Sequence, residues 1–184
     1  MKPLAPSDTP RPKASFLRRA LAFLLDAVVL TLLGFALLAL VSLLLGPATR
    51  IALDGTAEPA VEVIGWRALL NALLLAALSA GFFVFSWTRS MHTPGQALMG
   101  IHVEDANGPA PMPAGRAALR WALLGAPLGI AATAVVNAPL VFLGVSVVSV
   151  VWFAILLLTT LFSRSGRGVH DRFSGSIAVR ARRD

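Results

Sequence analysis

A chain of 184 residues that is 57% hydrophobic and only 14% charged has too few charges to coat a soluble domain, where about a quarter of residues are charged. The formal net charge is +7, and 14 of the 16 basic residues are arginine, standing beside apolar runs in a pattern that fits a membrane rather than nucleic acid. With no cysteine, a disulfide framework, thiolate chemistry and a Cys-based zinc site are all excluded.

Residues 1–15 are Pro-rich and polar, which predicts a disordered segment on the cytoplasmic side. The first apolar run, 20–45, exceeds the roughly 20 residues that cross a hydrocarbon core of about 30 Å. It is too long for a cleaved signal peptide. Its one charge is Asp26, five or so residues in and so about 7–8 Å deep. A charge at the bilayer centre costs roughly 2.5–3.5 kcal/mol and asks for a reason. Two are open: a pairing with arginine that locks the bundle, or an ion or proton site. Arg19 precedes Asp26 on nearly the same helix face but is too far along the axis for a tight pair.

The 46–66 loop carries only Arg50 as a cation. The second apolar run, 67–87, has a small-residue stripe at Ala72, Ala76 and Ala80, and Asn71 is placed for an interhelical hydrogen bond. Trp66, Trp87 and Trp121 fall at span ends, where indole rings settle among headgroups; Trp152 falls mid-span. Beyond the second run, 93–100 reads as a loop punctuated by Pro94, Gly95 and Gly100. Ile101, His102, Val103 and Glu104 alternate apolar and polar, and 105–108 supplies a turn. Ser176–Arg180 is the matching strand-like run. The two are expected to pair as a small cytoplasmic sheet resting on the bundle, because an isolated pair is marginal in water.

Residues 117–162 are too long for one crossing, since 46 helical residues span about 69 Å. Asn137-Ala138-Pro139 is a turn signal that divides them into spans 117–136 and 140–162. Gly125 and Gly129 suit close helix contact, and Pro127 predicts a kink. A re-entrant hairpin over 117–162 is the alternative. Cations crowd the N-terminus, the 88–116 loop and the tail from 163, so these are expected in the cytoplasm and the 46–66 loop outside. The expected fold is therefore an all-α membrane bundle of about four transmembrane helices with a short β pair.

The stretch from Gly166 to Arg172 is dense in charge and glycine. His170 beside Asp171 allows an acid–base or metal reading, against a plain membrane-proximal turn on lipid phosphates. His92, His102 and His170 lack a spacing that forces a metal site.

Four motifs in order give the chain a resemblance to the RDD family of bacterial membrane proteins, named for an arginine and two aspartates. Arg19, Ala22 and Asp26 match the first-span motif. Thr93-Pro94-Gly95 and Gly100-Ile101-His102-Val103 match the second, with Gln96 where the family usually has Lys or Arg. Arg120 matches an arginine that opens the next apolar stretch, and Gly168, His170, Asp171 and Gly175 match the last motif, with Ser176 replacing threonine. The resemblance covers 16–180 as one membrane domain, followed by a basic tail end at 181–184. It implies the bacterial cytoplasmic membrane, an activity that is poorly defined within the family, and transport of an ion or small solute as the activity proposed for it.

The candidate polar site comprises Arg19, Asp26, Arg120, His170 and Asp171. Three functions compete. A transporter would use Asp26 and the arginines, although no internal repeat is visible. A non-catalytic scaffold or assembly protein would use the basic tail and strand pair. An enzyme is not expected: Asp26 is the only carboxylate within a span, and no Ser–His pair lies at membrane depth. No cofactor or metal is expected. The expected partners are the bilayer, anionic lipid headgroups and a second copy of the chain, with no nucleic acid.

Overall fold

The structure, a computed structural model, describes residues 12–52, 60–134, 139–163 and 166–181. Two long helices open the chain, α1 (Phe16–Leu45) and α2 (Gly65–Arg89). Between them lies a hairpin of β1 (Thr49–Ala52) and β2 (Ala60–Val63), with Thr49 opposite Val63 and Arg50 opposite Glu62. Then follow α3 (Pro94–Leu98), β3 (Ile101–Asp105), α4 (Ala114–Leu123), α5 (Ala126–Ala134), α6 (Pro139–Leu161), α7 (Val169–Phe173) and β4 (Ser176–Arg180).

Three of these helices are long and apolar enough to cross a membrane among the described residues: Phe16–Leu45, Gly65–Arg89 and Leu140–Leu161. Their large apolar side chains face outward, as at Leu32, Phe35, Phe85 and Val150. A bundle in lipid has no water to hide these from, so the outward face is the apolar one. The inward face of α1 is made of Ala22, Asp26 and Gly34. Small residues let backbones approach, and Leu75 of α2 lies against Gly34.

The 117–136 stretch is not one helix. It breaks at Gly125, whose φ of +82° suits glycine alone, and yields α4 of 10 residues and α5 of 9 residues. Neither half is long enough to span alone. Pro127 does not kink a continuous helix; it sits in the first turn of α5, where its missing N–H removes no internal bond. Trp152 of α6 packs on Gly125 and donates to the Leu123 carbonyl at 2.8 Å, which closes one of the free carbonyls left by the break. The described part of the bundle thus supports three candidate spans and a broken segment rather than four unbroken ones. Residues 135–138, which include most of the expected Asn-Ala-Pro turn, and residues 1–11 lie outside the described residues.

The expected β pair is present. β3 and β4 run antiparallel with Ile101 opposite Arg180 and Asp105 opposite Ser176. It rests on the bundle as its small size requires: Ile101 and Ala178 pack with Ala14 and Ala22 of the first segment, and Val103 packs with Phe83, Trp87, Met112 and Ala117. The segment before α1 joins the sheet edge, with Ala14 N–H donating to Ala178 at 3.1 Å and Arg180 N–H donating to Pro12 at 2.9 Å. Residues 12–14 and 178–180 therefore meet at one end of the bundle. The 46–66 segment, expected as a loop, contains a hairpin instead. Its signal was the alternation of Val61, Glu62 and Val63 opposite Arg50 and Ile51.

Candidate functional site

Asp171 is the centre of a buried polar cluster. The short helix α7 starts two residues beyond Arg167, and Asp171 turns back so that Gly168 N–H donates to its carboxylate at 3.2 Å. Arg120, in the second turn of α4, meets the same carboxylate at 2.6 Å, with the side chains 4% and 0% exposed. Arg19 of α1 donates to its other oxygen and, at 2.7 Å, to the Gly166 carbonyl. Ser176 accepts from Arg120, and Arg167 donates to the backbone carbonyls of Ser176 and Asp171. Two guanidiniums thus clamp one carboxylate, and α1, α4, α7 and β4 are tied at that point. His170 and Asp171 are both buried within the segment expected as a membrane-proximal turn.

The electrostatics follow from burial and neighbours. Burial alone would raise the Asp171 carboxyl, but Arg120 and Arg19 beside it outweigh that effect and hold it below the usual carboxylate range. Burial drives His170 down to about 3; the Asp171 carboxylate opposes this, and the guanidiniums of Arg120 and Arg19 reinforce it. His170 is therefore a neutral ring at neutral pH. Its Nε2 lies 3.4 Å from both Arg19 Nη2 and Asp171 Oδ1. Its Nδ1 and the Arg120 Nε are buried with no hydrogen-bond partner among the described residues.

Asp26 pairs with no arginine among the described residues. It accepts from the Thr93 hydroxyl and, at 2.8 Å, from Gly95 N–H, so the acid caps the first turn of α3. Thr93-Pro-Gly-Gln is a capping box: Gln96 N–H donates to the Thr93 hydroxyl, and Gln96 Oε1 accepts from Thr93 N–H at 3.0 Å. The sequence carries that pattern, with Pro94 opening the turn, within the stretch expected as a loop. Gly95 is required here. A Cβ would overlap the Ala22 carbonyl and stand 2.9 Å from Asp26 Cγ.

A chain of polar contacts joins the two acids. Arg120 lies over the Trp87 ring at 5.0 Å, and Trp87 Nε1 donates to Gln96 Oε1 at 3.1 Å. Gln96 is bonded to Thr93, and Thr93 to Asp26. Trp87 is therefore no headgroup anchor; it is 1% exposed at the middle of this relay. Its hydrogen-bonding partner and the arginine above it explain why a Trp could be sealed there. Gln96 supplies an acceptor that a lysine or arginine could not. Asn71 Oδ1, expected to bond across helices, has no partner among the described residues.

Arg19, Asp26, Arg120 and His170 also line one chamber of about 390 Å³ between α1, α2 and α6. Its walls are mostly apolar, with Phe23, Phe83, Phe153 and Leu157 prominent. No group of three or more His, Asp or Glu side chains suited to a metal occurs among the described residues.

A sequence model of the RDD family matches residues 13–175, most of the chain. The chain belongs to the RDD family. No curated protein and no solved structure matches it. RDD proteins are membrane proteins, in accord with the three apolar helices. In this RDD protein the arginine of the first motif and the aspartate of the last are bonded to each other, while Asp26 caps α3.

Proposed function

We propose that this RDD protein is a multi-pass protein of the bacterial cytoplasmic membrane that acts by binding within the bilayer, without catalysis. Four crossings account best for the meeting of residues 12–14 with 178–180. A chain whose first and last segments bond to one sheet passes an even number of times, so α4 and α5 together serve as a broken crossing packed on α2. Exposed Lys13, Arg89, Arg172 and Arg180 lie beside that end, which favours the cytoplasmic side and contact with anionic headgroups.

The observation that carries the binding reading is the engagement of both acids. Asp171 is held by two guanidiniums and Asp26 by Thr93 and Gly95, so each fixes a backbone element at the chamber wall. Toward the other end, the second cavity is lined among the described residues by Leu30, Gly34, Leu38, Leu75 and Leu78, with the hydroxyls of Thr31 and Ser79. No ionisable side chain among the described residues lines it to carry an ion onward.

Transport of an ion or small solute is the second reading, favoured by the presence of Asp26, Arg19 and Arg120 on one chamber. Vesicles holding the protein and a pH or sodium reporter separate the two. Binding without conduction gives no flux above that of Asp26→Asn. Flux that Asp26→Asn abolishes, in protein of unchanged thermal stability, would overturn the binding reading in favour of transport.

A further inference from the structure

α1 measures depth for the short helices bonded to it. Its 30 residues span about 45 Å, against about 30 Å for a hydrocarbon core, so it outruns the core. Its apolar run begins at Ala20, directly after Arg18 and Arg19, which puts the core edge there. Headgroups add about 5–7 Å beyond each edge. Met99, at the end of α3, accepts from Arg18 at 3.2 Å, and Asp171 of α7 is bonded to Arg19. A second helix gives the same level for α7. Arg172 donates to Ser163 at 3.2 Å, and Ser163 lies two residues past the candidate span Leu140–Leu161. By two rulers, then, α7 sits at the depth of the headgroups, and α1 puts the end of α3 there as well.

Each of these short helices has an inner and an outer side. α7 buries His170 and Asp171 and leaves Arg172 and Phe173 exposed. Phe173 is 71% exposed, and Leu98, the last residue of α3, is 74% exposed. This apolar surface continues the lipid-facing one: Leu17 at the start of α1 and Phe162 just past α6 are exposed too. Exposed apolar surface of this kind at the rim of a span belongs against lipid. Among the described residues no carboxylate pairs with Arg172, whose hydrogen bond goes to Ser163. Its remaining N–H groups suit a phosphate. An arginine beside an aromatic ring at this depth is the pairing of an interfacial helix, with the ring among glycerol and upper acyl carbons and the guanidinium on phosphate.

We propose that α7 is an interfacial anchor that binds the membrane surface, with Phe173 among the glycerol and upper acyl carbons and Arg172 on a lipid phosphate, and that Leu98 of α3 enters the same layer. This deepens the reading of contact with anionic headgroups by naming the residues and their depth. It rests on the crossings of α1 and α6 and holds for binding and transport alike. Because the same turn carries Asp171 on its inner side, lipid contact bears on the cluster that ties α1, α4, α7 and β4.

Single cysteines replace Phe173, Leu98 and Asn107 in the otherwise cysteine-free chain, each is given a nitroxide, and the full chain is placed in lipid nanodiscs. Asn107, exposed in the turn after β3, reports water. Molecular oxygen concentrates in lipid and a neutral nickel chelate in water, so the ratio of their collision rates reads depth. The oxygen-to-nickel ratio at 173 and 98 should be at least about threefold that at 107. Ratios equal to that at 107 overturn the proposal, because both helices then stand in water. Low collision with both reagents also overturns it, because the side chains are then covered by protein. The second arm is a melting temperature in discs of phosphatidylcholine with and without phosphatidylglycerol. The anionic lipid should raise it for the wild type. Arg172→Gln should lose most of that rise while melting like the wild type in detergent. A full rise in Arg172→Gln overturns the assignment of Arg172 to phosphate, and no rise in the wild type overturns headgroup contact itself. None of these readings depends on flux, which decides separately between binding and transport.

Discussion

Asp171 and Arg120 meet at 2.6 Å with both side chains sealed from solvent, and Arg19, 152 residues from Asp171 in the chain, closes the same carboxylate from the other side. One acid thus holds the first helix, the broken α4–α5 segment and the C-terminal strand together. Breaking a buried pair by removing one partner costs about 3–5 kcal/mol, because the other charge is left stranded. Asp171→Asn should therefore lower the melting temperature in detergent sharply and reduce the yield of monodisperse protein on gel filtration. The exposed pair of Arg50 and Glu62 in the β1–β2 hairpin provides the contrast, and Arg50→Gln should leave the melting curve unmoved. Equal effects from the two changes would show that the cluster is not a clasp.

Acid should loosen the fold through His170 before it reaches Asp171. The folded value of His170, about 3, lies below its ordinary 6.5, so between these limits the unfolded chain binds the extra proton. Stability is full above about pH 6.5 and declines as pH falls toward 3, with a loss of about 2 kcal/mol at pH 5. The Asp171 contribution has the opposite origin, a depressed carboxyl, and is lost only at more acidic pH, below the ordinary carboxylate value. Melting temperatures from pH 7.5 to 5 should fall for the wild type and stay flatter for His170→Gln. A His170→Gln slope as steep as that of the wild type would assign the acid sensitivity to another group.

Two glycines should respond to alanine in opposite directions. Gly95 abuts the Ala22 carbonyl and Asp26, so Gly95→Ala must push α3 off α1, with an overpacking cost of about 1–3 kcal/mol. Gly115 lies within α4 with nothing within 4 Å of an added Cβ, so Gly115→Ala should stabilise by about 0.5–1 kcal/mol through helix propensity. Thermal melts of the two variants side by side check the contrast, and a neutral Gly95→Ala would mean that α3 is not docked on Asp26.

The chain has no cysteine, so single cysteines report sidedness without background. Cysteines replacing Lys13, Leu98 or Arg180 should be labelled by an impermeant maleimide only after cells are opened, and one replacing Arg50 should be labelled in intact cells. Labelling of Lys13→Cys and Arg180→Cys from opposite sides would exclude an even number of crossings.

The long apolar helices were legible because lipid rewards apolar side chains on every outward face, so hydropathy survives in the linear sequence. The β3–β4 pair is legible from alternation, and the 117–136 span is apolar as expected but is not one helix. Gly125 breaks it through a backbone angle that no periodicity records. The capping box of α3 was written in Thr93 and Gln96 but was overshadowed by Pro94 and Gly95, which read as loop punctuation.

The sequence by itself determined that this is a helical membrane protein with arginine-rich ends and a few buried charges that must find partners. Only the tertiary structure decided the pairings: Arg19 with Asp171, Asp26 with the start of α3, and Trp87 beneath Arg120 rather than among headgroups. Hydrophobic burial depends on each residue's own surface and is readable locally. A buried charge is stabilised by specific atoms brought from distant parts of the chain, and nothing in its own neighbourhood names them.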